Sequence, residues 1–124
     1  MIFTDPQVAS VGLTEHEARL VRLDVKTSVL DLKHVPRAIT SRNTNGLVKV
    51  IADASADRLL GVHIIAREAG EVIQTAATIL AANGRCEFTL QDIRTLLFPH
   101  QVEALKLAVL SLTKDVEMLS CCAG

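Results

Sequence analysis

The run Leu47-Val48-Lys49-Val50-Ile51-Ala52-Asp53-Ala54-Ser55-Ala56-Asp57-Arg58-Leu59-Leu60-Gly61-Val62-His63-Ile64-Ile65-Ala66 reads as a β-hairpin. Two β-branched, apolar segments flank a polar turn, so a strand over 47–52, a five-residue loop over 53–57 and a strand over 58–66 follow. The second strand is almost continuously apolar, which predicts a central place in a sheet. Immediately after it the period changes. Val72, Ile73, Ala76, Ala77, Ile79 and Leu80 recur at helical spacing, which predicts a helix over 68–83, ended by Gly84. Its many Ala and Thr positions allow close approach by another element.

Working toward the N-terminus, 24–32 reads as a further strand covered on both faces over part of its length. The segment 33–45 is the most irregular, since Pro36 blocks regular pairing and 41–46 is turn chemistry. Thr14 and Glu17 form a capping box for a short helix running to about residue 22, with Ala18 and Val21 inward. Residues 1–13 supply one or two short strands, broken at Asp5-Pro6. Toward the C-terminus, Thr89 to Asp92 caps a short helix to about Leu97. Phe98-Pro99-His100 breaks it, and a last helix follows over 101–112, with Val102, Leu105, Ala108, Val109 and Leu112 on one face. Strands first, a hairpin, then helices define an α+β fold: a two-layer sandwich, an antiparallel sheet with helices packed on one face.

Composition narrows the function classes. The 124 residues suit one domain, and the apolar fraction of 49% is high enough to suggest burial against another chain or domain. Thirteen basic residues balance fourteen acidic ones, and Trp and Tyr are absent, so neither nucleic acid nor an anionic membrane is an expected partner. No apolar run is long enough to span a bilayer, and no signal peptide is visible. Three cysteines, two of them adjacent, make no disulfide framework, and a cytoplasmic location is the expectation. No G-x-G-x-x-G phosphate loop is present, so no nucleotide cofactor is expected to have its main site here.

The ending Leu119-Ser120-Cys121-Cys122-Ala123-Gly124 is the clearest chemical feature. Adjacent cysteines are badly placed for a relaxed disulfide but can offer two soft sulfur ligands to one soft metal ion. The competing reading is two surface thiols on a disordered end. Among other candidates, His16 and His34 read as surface histidines, and His63 as a packed, hydrogen-bonded residue. Cys86, beside Arg85, reads as structural or incidental. Lys33, His34, Arg37 and Arg42 read as a solvated loop. His100 and Glu103 share a helix face. That is acid–base geometry, or a helix-start pair of no catalytic value.

The opening Phe3-Thr4-Asp5-Pro6-Gln7-Val8-Ala9-Ser10-Val11-Gly12 resembles the start of the C-terminal dimerisation domain of the flavoprotein disulfide reductases. Val35-Pro36-Arg37-Ala38, the Gly61 strand, residues 68–74 and the Cys121-Cys122 ending are similar to the members that reduce Hg(II). The resemblance implies a dimerisation domain over 1–113 that pairs with itself, and a flexible tail over 114–124. It implies FAD and NADPH bound on other domains, and none bound by this chain alone. Cys121 and Cys122 become the catalytic and metal-binding residues, with Hg(II) as substrate. Phe98 and Pro99 occupy the family's His-Pro motif, placing them beside the cofactor, with Phe98 in place of the His and Glu103 matching its Glu. His100, where those members usually carry Tyr, becomes a candidate metal contact. The alternatives are a free-standing thiol metal-binding module and a purely structural dimerisation domain.

Overall fold

The computed structural model describes residues 1–82 and 102–115. The hairpin strands are β3 (Leu47–Asp53) and β4 (Arg58–Ala66), and β1 (Gln7–Gly12) and β2 (Val25–Asp31) flank them. The sheet is antiparallel with order β1-β4-β3-β2, so both hairpin strands are central. The loop is one residue shorter than expected, because Asp53 still pairs with Arg58. Its carboxylate organises the turn, accepting from the backbone N–H and hydroxyl of Ser55 and from the N–H of Ala56 at 2.6–3.2 Å. An aspartate that serves its own turn this way is a common substitute for a backbone turn.

Two helices cover one face of the sheet. α3 (Ala69–Ala82) lies on β1 and β4, and α4 (Glu103–Leu110) lies on β2 and β3. Val48, Val50, Val62 and Ile64 from the hairpin meet Val72, Ala76 and Ile79 from α3 and Leu105, Ala108 and Val109 from α4 in one core. The Ala positions of α3 let the helix sit close to the strands, as its stripe predicts. α4 is buried on almost every side, with only Lys106 less covered. It is two residues shorter at each end than the expected 101–112 helix.

α1 (Glu15–Leu20) carries the capping box as read: Thr14 Oγ1 accepts from the Glu17 N–H, and the Glu17 carboxylate accepts from the Thr14 N–H. Ala18 is fully buried, but Val21 is 62% exposed, because the helix has already ended at Leu20 and the chain turns outward. Over residues 27–30 β2 is covered on one face, while α1 also contacts the strand. Ser28 and Leu30 point into the core, whereas Thr27 and Val29 are exposed. Residues 32–40 are more regular than expected. A 3₁₀ turn (Leu32–His34) leads into α2 (Pro36–Thr40), where Pro36 occupies the first turn and starts the helix rather than interrupting structure. The expected helix ending near Leu97, the helix stop at Gly84, and the tail lie outside the described residues.

Candidate functional site

Of the residues singled out for chemistry, Cys86, Phe98, Pro99, His100, Cys121 and Cys122 lie outside the described residues. Glu103 is described, and its placement is unexpected. It opens α4, is 2% exposed, and neither carboxyl oxygen has a hydrogen-bond partner among the described residues. Burial pushes its carboxyl above the ordinary glutamate range. Lys106, a turn further along, and the backbone N–H of Arg37, which approaches without closing a hydrogen bond, pull weakly the other way. The signal that could have revealed this is the neighbouring sequence. Ala104, Leu105, Leu107, Ala108, Val109 and Leu110 leave no polar face on which a glutamate could reach water.

The far end of α4 is fixed to β2 by polar contacts. The buried Ser28 hydroxyl donates to the Ala108 carbonyl, and the Ser111 hydroxyl donates to Ser28 Oγ and to Ala108 O, each at 2.9 Å. Reading β2 by its faces places Ser28 inward, but only the fold supplies its partner 80 residues away. α4 is therefore anchored to the sheet just after its last turn, at Ser111.

The remaining candidates behave as ordinary surface and packing residues. His16 and His34 are exposed. His63 is half-buried, with Nε2 3.2 Å from the Leu13 carbonyl oxygen. Lys33 pairs with Asp31 at 3.3 Å, and Lys33, His34, Arg37 and Arg42 lie at the surface. No group of three metal-ligating side chains occurs among the described residues, nor any helix long and apolar enough to cross a membrane. Gly12, with φ of 74°, faces the Leu60 carbonyl so closely that a Cβ would collide, and Gly61 faces Leu13 in the same way. These two glycines allow close approach of neighbouring backbone.

This sheet with two covering helices defines a class. The family model for the pyridine nucleotide-disulphide oxidoreductase dimerisation domain matches residues 1–109, and the chain belongs to that family. Within it, the chain is 45% identical to the mercuric reductase of Acidithiobacillus ferrooxidans over its whole length, and 48% identical to that of Bacillus cereus over 98% of it. It spans 22% and 19% of those proteins, about a fifth of the curated relatives it matches. Among solved structures, the Cu(II) complex of the HOCl-induced flavoprotein disulfide reductase RclA from Escherichia coli superposes with a TM-score of 0.79 at 28% identity. That match covers 90% of this chain and 25% of RclA. LpdA from Mycobacterium tuberculosis gives 0.75 at 23% identity, covering 90% of this chain and 24% of LpdA, a likeness of fold.

Proposed function

We propose that this chain is the dimerisation and Hg(II)-delivery domain of a mercuric reductase. The observation that carries the reading is the Cys121-Cys122 pair at the end of a chain similar along its whole length to mercuric reductases. Residues 1–113 pair with a second copy about a two-fold axis, and residues 114–124 form the delivering tail. FAD and NADPH belong to domains outside this chain, with Phe98 and Pro99 placed beside the cofactor. In the assembled enzyme two electrons pass from NADPH through FAD to Hg(II), giving Hg(0), NADP⁺ and a proton.

The chemistry assigned to the tail is ligand exchange. A thiol of ordinary pKa is about 3% ionised at pH 7. Soft Hg(II) displaces the thiol proton as it binds, so no neighbouring cation is required. Cys121 and Cys122 follow the anchored Ser111 by 10 and 11 residues, so the thiols reach at most about 40 Å from it. A second cysteine pair within that radius can take the ion by successive thiolate substitution, with no change in its charge.

The test is a titration of the chain with Hg(II) against a competing small thiol. One tightly held Hg(II) per chain is expected. Single Cys121→Ala or Cys122→Ala changes should weaken it strongly, because the second tethered ligand is lost. A C121A/C122A double mutant that holds Hg(II) as tightly as the parent overturns the delivery role.

A further inference from the structure

Glu103 is the buried ionisable group that the proposed function leaves unused. A carboxylate in its place has been stripped of water and given no hydrogen bond in return among the described residues. That cost falls on the charged form, whereas the neutral acid is tolerated.

The surroundings point the same way. On its own helix the charged neighbour is Lys106, and from α2 the Arg37 backbone N–H faces the carboxyl. Both favour ionisation, and burial outweighs them. β2 and β3, on which α4 packs, contribute Leu30, Val48, Val50 and Ala52 to the shared core, none of them ionisable. The two ends of the helix are held differently. The C-terminal end is tied to β2 through Ser28, Ser111 and Ala108. The N-terminal end has no side-chain cap and is held by apolar packing around the acid.

We propose that the burial of Glu103 favours its neutral form in the folded domain, and that its ionisation lifts the first turn of α4 from the sheet while the Ser28–Ser111 end stays fixed. The domain thereby carries a pH-sensitive joint. The sign follows from linkage. The folded state holds the proton more tightly than the unfolded chain. Stability is therefore full below the ordinary glutamate value of 4.5 and falls as pH rises through the higher folded value.

The test compares the parent chain with E103Q by urea unfolding from pH 4 to 8. The folding equilibrium constant of the parent, relative to E103Q, should fall by up to about tenfold per pH unit above 4.5 and then level off. Amide protection at Leu105 and Lys106, relative to E103Q at the same pH, should be lost before that at Leu110 and Ser111. Parallel stability profiles, or a parent that gains on E103Q as pH rises, overturn the uncharged acid. Uniform loss of protection along α4 overturns the local release. Should E103Q fail to fold, a carboxyl NMR titration of Glu103 in the parent decides. A midpoint above 4.5 supports the proposal, and one at or below it sinks it.

Discussion

Asp53 and Glu103 are both acids removed from solvent, 3% and 2% exposed, and they resolve the cost of burial in opposite ways. Asp53 closes the β3–β4 hairpin. Ser55 donates to it twice and Ala56 once, so its carboxyl is held below the ordinary range, chiefly by the Ser55 hydroxyl and against the pull of desolvation. Glu103 opens α4 with no such donors among the described residues, and desolvation raises its carboxyl above the ordinary range. Equal burial therefore does not mean equal charge. What separates them is whether neighbouring donors, here the Ser55 hydroxyl and two backbone N–H groups, are turned toward the carboxylate. A tight turn does this within three residues. A helix start does it for an N-cap residue, or for one that reaches back to the N-cap N–H as Glu17 does in α1, and Glu103 does neither.

The comparison depends on α4 being firmly packed, since a loose helix would let water reach Glu103 at little cost. Leu105 tests that with the largest expected effect. It is fully buried two residues from Glu103, and Leu105→Ala should cost about 2–5 kcal/mol in urea unfolding, through lost transfer energy and an unfilled cavity. A cost below about 1 kcal/mol, well short of the usual range, would mean that α4 is weakly held and that the contrast with Asp53 collapses.

Asp53→Ala is the next largest. It leaves the Ser55 and Ala56 donors without their acceptor, a loss of roughly 1–3 kcal/mol. It should also remove a specific acid sensitivity. Because the folded carboxyl lies below its ordinary value of 3.8, its stabilisation is present above that value and disappears as pH falls through the folded one. The parent should therefore lose stability below about pH 5 more steeply than the variant. This is the mirror image of the Glu103 profile. Identical acid limbs would show that the turn does not depend on the charged carboxylate.

The hairpin was legible because several signals agreed within one short stretch: alternating β-branched positions, a polar turn, and a following helix of different period. The α3 stripe and the α1 capping box were readable for the same reason. Pro36 was misread because a proline blocks a strand and begins a helix by the same chemistry, the fixed φ and missing N–H, and only the backbone around it tells which. Val21 was misread by assuming that the helix continued one residue further. The burial of Glu103 was not anticipated, because its helical spacing from His100 drew attention to a pair on one helix face, while the apolar residues on every side of α4 pointed to burial. The contacts of α4 with the sheet are long-range, and no local pattern contains them. Of the chemical site, the cysteine pair was legible as residue type alone, since two adjacent thiols near a chain end name a ligand set without placing it.

The smallest effect belongs to the ion pairs on the opposite side of the sheet from α3 and α4, and it sharpens the contrast by supplying an acid that is neither buried nor critical. Glu15 accepts from Lys49 Nζ at 2.7 Å and also pairs with Arg19 one turn along α1. Its carboxyl is lowered, first by the Lys49 hydrogen bond, yet water remains available to both partners. A pair of that kind gains little, because solvent screening and side-chain ordering offset the attraction. Lys49→Met keeps much of the length of the side chain and removes the charge. It should leave the urea midpoint nearly unchanged at about 0.15 M salt, while the Glu15 carboxyl titration moves up toward its ordinary value of 4.5. Any loss of stability should shrink further in about 1 M salt, where the screening length drops to about 3 Å. A large, salt-resistant loss would mean that Lys49 holds α1 to the sheet by packing its stem rather than by charge, and Lys49→Ala would then be worse than Lys49→Met. Equal, small losses for both substitutions, fading with salt, would establish that an exposed pair can shift a pKa without stabilising the fold. The stability effects would then remain with the two buried acids.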